Sequence, residues 1–469
     1  MTDLSKINIC YAVIIFCLAL FIRIEYFNNT HVYQPLSGDA SSYMTYAKNI
    51  DIYYIFSKDR ENTPPIPDSF WAPAYPFFIV LIHKIAKILE IEFYFILMIA
   101  QAILGGLIAL LTFLMGRLFL NKHLAFSAAL LTVFSPHLIS LGNYILTETL
   151  FSFTLMLSLY LFMLWIKYKN HYLSIITGLS FGLAYLVNPV IFFAPLFLAI
   201  LFYYSFIKTD YNKKIILVML MSFLVIVLSW SLRNHLNVDS SGESSSGRVL
   251  ANLVVGAHHD FFDIWRKDPR DPNNPATLDL TIAQDSISTF LPLLIDRIIE
   301  NPSHYAQWYF LEKPYLLWSW NILIGQGDIY VYAVTHSLYT ENVVAMMSLS
   351  MMKSLHLWLV LFALLGIFFV FKKGEDNNKI EPKILYIVLV YVSAVYVVLQ
   401  AEPRYSVPLR PEMYLCAMFF ISEIVKFYKK LKGSQSCKCF SILNPSPPKL
   451  IISIQNIFYR LSCRRFFRN

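Results

Sequence analysis

Charge is scarce in this sequence. Asp, Glu, Lys and Arg make up 14% of its 469 residues, against 57% hydrophobic residues and a mean hydropathy of +0.54. A soluble domain leaves much of its surface wet, and this much apolar surface has nowhere to hide in one, so the soluble classes are excluded. Internal repeats are lacking, which weighs against a transporter built from inverted halves. There is neither a glycine-rich phosphate loop nor a Walker pattern, so nucleotide hydrolysis has no support. Cysteines number six: Cys10, Cys17 and Cys416 lie in apolar runs, and Cys437, Cys439 and Cys463 in the C-terminal tail. None falls in a long polar segment, so no disulfide framework is implied, and one Lys between Cys437 and Cys439 is too little for a metal site. No small-residue cleavage signal follows the apolar stretch Ile7 to Ile24, which therefore reads as a retained first helix.

Aromatic residues, by contrast, are plentiful, with 38 Phe and 30 Tyr. Such rings anchor helices at the headgroup level. A hydrocarbon core of about 30 Å asks for about 20 mostly apolar residues per helix. Segments near 7–24, 93–117, 123–142, 145–166, 172–188, 190–207, 214–232, 353–371, 383–401 and 405–425 meet that rule. The sequence thus predicts an all-α polytopic membrane protein of about ten to twelve transmembrane helices. Pro76–Leu89 is short and carries His83, Lys84 and Lys87, and reads as an interfacial helix. Tyr315–Val334, interrupted by Gly325, Gly327 and Asp328, reads as a re-entrant or interfacial piece.

The formal charge of +8 is distributed as membrane orientation requires, not as a nucleic-acid surface. With the N-terminus cytoplasmic, the clusters Arg117/Lys122, Lys167/Lys169, Lys208/Lys213/Lys214, Lys372/Lys373/Lys379/Lys383 and Lys426/Lys429/Lys430/Lys432 all fall inside, and so do both termini. Two long polar segments fall outside, about 25–92 and 233–352, the second with a Ser-rich stretch at 240–246 and turn signals at 268–276. Segments of that length carry function more often than they merely connect. Residues 1–432 form the transmembrane domain, and 433–469 a basic cytoplasmic tail. In that tail Leu450, Ile454, Ile457, Phe458 and Leu461 share a helical face among Arg460, Arg464, Arg465 and Arg468, the pattern of a helix lying on a leaflet.

The unusual polar residues gather on the outer side. Asp39, in GDASSYMTYAKNI (38–50), reads equally as a helix N-cap and as a general base or metal-binding carboxylate. Glu148, in LGNYILTETLF, is either a hydrated interfacial carboxylate or a second acidic, acceptor-binding group. Arg233, in SWSLRNH, breaks the charge rule, and reads as a snorkelling side chain or as a cation wanted by a phosphate. Lys313 lies beside Glu312, with which it can pair. Glu402, Arg404 and Tyr405 belong to EPRYSVPLRP (402–411), where Pro403, Pro408 and Pro411 forbid a regular helix. Irregular backbone at membrane depth is tolerated where it lines a cavity or is buried in protein, and this is the clearest local signal in the chain. Arg404 and Arg410 with Arg233 and Lys313 would make a clamp for an anionic lipid phosphate. His258 and His259 are adjacent and do not share a helical face.

The ordered set GDASSYMTYA (38–47), WAPAYPFFIVL (71–81), TETLF (147–151), SLRN (231–234), NPSHY…EKP (301–314) and EPRYSVPLRP (402–411) resembles the glycosyltransferase-C superfamily. The resemblance is to its bacterial members related to protein O-mannosyltransferases and the lipid A aminoarabinose transferase, and it spans almost the whole chain. It implies inverting transfer of a hexosyl or pentosyl group from a polyprenyl-phosphate sugar to a lipid, protein or polysaccharide acceptor. It implies Asp39 as catalytic carboxylate, and Arg233, Lys313 and Arg404 as ligands of the donor phosphate. Glu148 or Glu402 would be the acceptor or second acidic group, and Tyr43, Tyr75 and Tyr405 would form the pocket. The expected place is a bacterial inner membrane. No cofactor is implied with certainty, and a divalent metal stays open. Two positions depart from the pattern: relatives often carry Arg where this chain has Trp71-Ala72, and Arg-Pro where it has Asn188-Pro189. A flippase of lipid-linked saccharides, or a saccharide polymerase or ligase, is the alternative.

Overall fold

The computed structural model describes residues 3–206, 210–238, 243–268, 271, 273–283, 286–370 and 379–438. Helix α1 (Asp3–Asn28) leads into the first polar segment, which holds strand β1 (His31–Val32), α2 (Asp39–Tyr53) and α3 (Ala74–Leu89). Then follow α4 (Phe93–Phe119), α5 (Lys122–Val133), α6 (Pro136–Leu141), α7 (Glu148–Tyr168), α8 (His171–Val187), α9 (Ala194–Phe206) and α10 (Asp210–Asn237). The second polar segment carries α11 (Ser245–Ala257), α12 (Phe261–Lys267), α13 (Pro275–Ala283), α14 (Ile287–Glu300), α15 (Pro302–Gln307), α16 (Lys313–Leu317), strand β2 (Val334–His336) and α17 (Leu338–Glu341). The chain continues through α18 (Val343–Val370), α19 (Glu381–Val398), α20 (Pro403–Ser406) and α21 (Arg410–Lys438). Local sequence starts several of these helices. The Glu92 carboxylate accepts from the amides of Tyr94 and Phe95 at 2.8 and 2.7 Å, and Asn121 and Asn170 cap α5 and α8 the same way.

Among the described residues six helices are long and apolar enough to cross a membrane: Ile9–Asn28 of α1, α4, α7, Lys213–Asn237 of α10, α18 and α19. Their outward faces are as apolar as their inward ones, as Leu228 on α10 and Leu364 and Phe368 on α18 illustrate, which suits hydrocarbon and not water. This is an integral membrane protein. The other apolar stretches are shorter or broken. The span expected at 123–142 divides at Ser135-Pro136, because proline removes a donor and clashes with the preceding turn. The helix expected from 353 begins ten residues earlier, at Val343. Helix α3 has 16 residues, too short to span, as its sequence suggests. Beyond Leu317 the 315–334 stretch is irregular: Gly325 and Gly327 take φ of 92° and 89°, and a Cβ on Gly325 would lie 1.8 Å from the Val331 carbonyl.

Small residues set the closest helix contact. Gly178 and Gly182, one turn apart on α8, face α10, where added Cβ atoms would lie 2.1 Å from the Met219 oxygen and 2.7 Å from Ile226. A main apolar core runs through the bundle, and a second, around Tyr43, Tyr75, Ile79, Leu97, Tyr144, Ile322 and Val407, joins the first polar segment to the helices beneath it. The second polar segment has a small core of its own, Leu250, Val254, Ala276, Phe290 and Leu294, locked by Asp279. That carboxylate accepts two bonds from Arg297 at 2.5 and 2.9 Å and faces His258 Nε2 at 2.7 Å. Strands β1 and β2 pair antiparallel, tying the two polar segments together. The chain divides into two compact units, Met1–Ile421 and Ser422–Asn469. In the second unit Lys426 pairs with Glu423 at 2.6 Å, whereas the tail helix expected at 450–468 lies outside the described residues.

Candidate active site

The proline-studded stretch after α19 builds the site. Its backbone breaks into the single turn of α20 and a 3-10 turn, Val407–Leu409, before α21 begins. That break turns Arg404 inward, where 7% of it stays exposed. Its Nη2 donates to Asp39 Oδ2 at 2.7 Å, and its Nε donates to Glu148 Oε1. Asp39 does not cap α2: Gly38, at φ 52°, holds the cap position and Asp39 is the first helical residue. Glu148 likewise opens α7. Both carboxylates thus sit where unpaired helix amides present partial positive charge. Residues from three distant parts of the chain meet in one ion triplet.

The triplet forms one wall of a cavity of about 210 Å³, lined also by Tyr43, Phe70, Trp71, Asn188, Arg248, Asn252, Tyr396 and Tyr405. Much of the lining is aromatic. Trp71 meets Tyr43 edge-on at 4.9 Å, and Tyr396 stacks on Tyr405 at 5.0 Å. Tyr75 stands behind Tyr43, edge-on at 5.2 Å, with its hydroxyl donating to Gln101 Oε1 at 3.0 Å. Asn188 donates from Nδ2 to the Tyr396 hydroxyl at 3.1 Å, while its Oδ1 accepts from the Val190 amide.

Of the residues singled out in the sequence, Asp39, Tyr43, Glu148, Arg404 and Tyr405 line this cavity, and Tyr75 supports it. Arg233, Lys313, Glu402 and Arg410 lie outside the lining, Arg410 being buried against His137 Nδ1 at 2.7 Å. Arg233 donates to the carbonyls of Asp68 at 2.7 Å and Phe56 at 3.0 Å, between the Phe56 and Trp230 rings. It holds the loop between α2 and α3 rather than reaching lipid by snorkelling. Lys313 does not pair with Glu312, which accepts from Gln307. Fully buried, it donates to the carbonyls of Gly256 at 2.9 Å and Leu399 at 2.7 Å, and burial lowers its pKa to about 7. Glu402 is buried too, facing the backbone of Leu323 and Ile324, and burial pushes its pKa up to about 7.

Arg248 and Asn252 went unrecognised in the sequence, where Asn188 stood out only as a departure from the pattern of the resemblance. Helix α11 offers the one available signal: Leu250, Val254 and Ala257 are buried on one face, leaving Arg248 and Asn252, four residues apart, on another. The Arg248 guanidinium lies 3.8 Å from the centre of Trp71, which belongs to the Trp71-Ala72 pair where the resemblance leads one to expect an arginine. Among the described residues no three His, Cys, Asp or Glu side chains gather as a metal site, and Asp39 and Glu148 each give an oxygen to Arg404.

Residues 83–237, about a third of the chain, match the model of the PMT family, dolichyl-phosphate-mannose-protein mannosyltransferase. No curated protein sequence matches significantly. Among solved structures, the archaeal oligosaccharyltransferase AglB from Archaeoglobus fulgidus, in complex with an inhibitory peptide and a dolichol-phosphate, aligns with 98% of this chain and 55% of its own at TM-score 0.51 and 13% identity. A crystal structure of the same oligosaccharyltransferase, tethered to an acceptor peptide, aligns with 89% of this chain and 50% of its own at TM-score 0.51 and 14% identity. The chain thus spans about half the length of these structures. Its fold is thus similar to that of the archaeal oligosaccharyltransferase, and its segment 83–237 is similar to the PMT family.

Proposed function

We propose that this protein is a membrane glycosyltransferase that moves a sugar from a polyprenyl-phosphate-linked donor to an acceptor, with inversion at the anomeric carbon. One observation carries the reading: Asp39, Glu148 and Arg404 form an ion triplet in a cavity at one end of a membrane helix bundle. Asp39 gives one oxygen to Arg404 and is part-exposed beside the cavity, so its other oxygen serves as base. An acceptor O–H attacks the anomeric carbon as its proton passes to Asp39. The bond from that carbon to the phosphate oxygen breaks, and its electron pair leaves with the lipid phosphate. Arg404 fixes both carboxylates in place, and water exclusion by the aromatic wall strengthens each charge interaction inside. Glu148 holds Arg404. Arg233 and Lys313 support the walls in this scheme, and Glu402 lies behind them. The acceptor is a lipid, protein or polysaccharide hydroxyl.

The cavity is below the roughly 300–1,000 Å³ of sites for larger ligands, and it suits one sugar ring better than an oligosaccharide. It opens on the outer, periplasmic face of a bacterial inner membrane, with both termini cytoplasmic. Lys167 and Lys383 support this orientation: they lie at the other ends of α7 and α19 from the ends that line the cavity.

The test is transfer of radiolabelled sugar from synthetic polyprenyl-phosphate donors to membrane acceptors by wild type and Asp39→Asn in parallel. Label incorporated by wild type and lost in the variant is expected; full activity in a folded Asp39→Asn protein would remove Asp39 from the mechanism. In a cysteine-free background, Glu61→Cys should react with an impermeant maleimide from the outer side and Lys167→Cys should not. The reverse pattern would invert the topology.

A further inference from the structure

Two arginines line the cavity, and they differ in what holds them. Arg404 is neutralised by a carboxylate on each side. Among the described residues, the half-buried guanidinium of Arg248 makes no ion pair and no hydrogen bond; it lies over the Trp71 ring, 3.8 Å from its centre. A guanidinium on an indole face is oriented without spending its N–H donors, and it presents them in a planar fork that matches two oxygens of one anion. An anion entering this cavity therefore finds one arginine already committed and one poised.

The geometry also explains why Arg248 stays at that wall. Helix α11 presents Arg248 and Asn252 to the cavity and ends at Ala257, and its C-terminal turn is clamped. The Gly256 carbonyl accepts from Lys313 Nζ at 2.9 Å and from Trp308 Nε1 at 3.0 Å. The same Lys313 Nζ donates to the Leu399 carbonyl at 2.7 Å, five residues before Arg404. A Cβ on Gly256 would lie 1.6 Å from that Leu399 oxygen, so only glycine allows the approach. One lysine amino group thus pins the Arg248 helix to the segment that carries Arg404. We propose that Arg248 is the ligand of the donor's phosphate and that Lys313 is its positioning residue, acting through Gly256 and Leu399. This rests on the lipid-phosphate donor reading above.

The experiment measures binding, not transfer. The full chain in nanodiscs is titrated with a polyprenyl phosphate and, separately, with the uncharged polyprenol of equal length. Wild type should prefer the phosphate. Arg248→Gln should lose that preference by roughly 10- to 100-fold while binding the polyprenol unchanged, the loss expected for charge-assisted bonds. Arg248→Lys should recover part of it. Lys313→Met should weaken phosphate binding alone, and the Lys313→Met/Arg248→Gln double variant should bind phosphate no worse than Arg248→Gln. Additive losses in the double variant would reject the positioning role of Lys313. Wild-type preference in Arg248→Gln would reject Arg248 while leaving the donor reading standing. A wild type that binds both lipids equally would overturn the donor reading itself.

Discussion

Replacing Arg404 with Met tests the ion triplet most directly. Arg404 and Glu148 are 7% and 6% exposed, and among the described residues the Glu148 Oε2 atom has no hydrogen-bond partner. The Asp39 side chain is 30% exposed and partly screened by water. Removing one member of a buried pair costs about 3–5 kcal/mol, because the remaining charge is left desolvated and uncompensated. Arg404→Met therefore strands Glu148, and most of the loss arises there. Glu148→Leu alone leaves Arg404 paired to Asp39 and should cost less, about 1–3 kcal/mol. In the double variant only Asp39 keeps a charge, and it is the wet one, so the double should be more stable than Arg404→Met. The expected coupling is about 2–3 kcal/mol. Reversible unfolding in mixed detergent micelles, followed by circular dichroism, measures all three. A double variant as unstable as the sum of the singles would refute the idea that burial of this pair dominates the site's energetics.

Three further outcomes follow from other regions. Lys313 has its pKa lowered from 10.5 to about 7 by burial, so the folded state resists protonating it. Wild-type stability should rise as pH climbs from about 7 toward 10.5, and Lys313→Met, read by the same unfolding assay, should lack that rise. Gly178→Ala places a Cβ 2.1 Å from the Met219 oxygen. The helices must part, at a cost of about 1–3 kcal/mol, and Ala at exposed Leu183 on the same helix provides the control. Burial alone would raise the Asp279 carboxyl, but the hydrogen bonds from Arg297 and His258, with their charges, hold it below the ordinary range. Its stabilisation is present above that range and lost as pH falls. Hydrogen exchange of α11, α13 and α14 should therefore quicken in acid in wild type, and at neutral pH already in Asp279→Asn.

The sequence alone determined the solvent. Low charge, long apolar runs and basic clusters on one side demand a membrane, because backbone amides in hydrocarbon must be satisfied within helices. It also pointed to Asp39, Glu148 and Arg404, since ionisable groups at membrane depth are expensive enough to stand out from their neighbours. Prolines at 403, 408 and 411 announced an irregular, buried segment, and the structure has one there. Only the tertiary structure decided what each charge touches. Arg233 and Lys313 looked like free phosphate ligands because a sequence displays charge but not the carbonyls that will absorb it. Those carbonyls belong to Asp68, Phe56, Gly256 and Leu399, and only folding brings them close. Arg248 had no motif to mark it, and became a site residue when α11 packed its apolar face and turned the other toward Trp71. Hydrophobic pattern is a property of neighbouring residues and is legible in order; the partner of a buried polar group is set by long-range packing, which no local stretch contains.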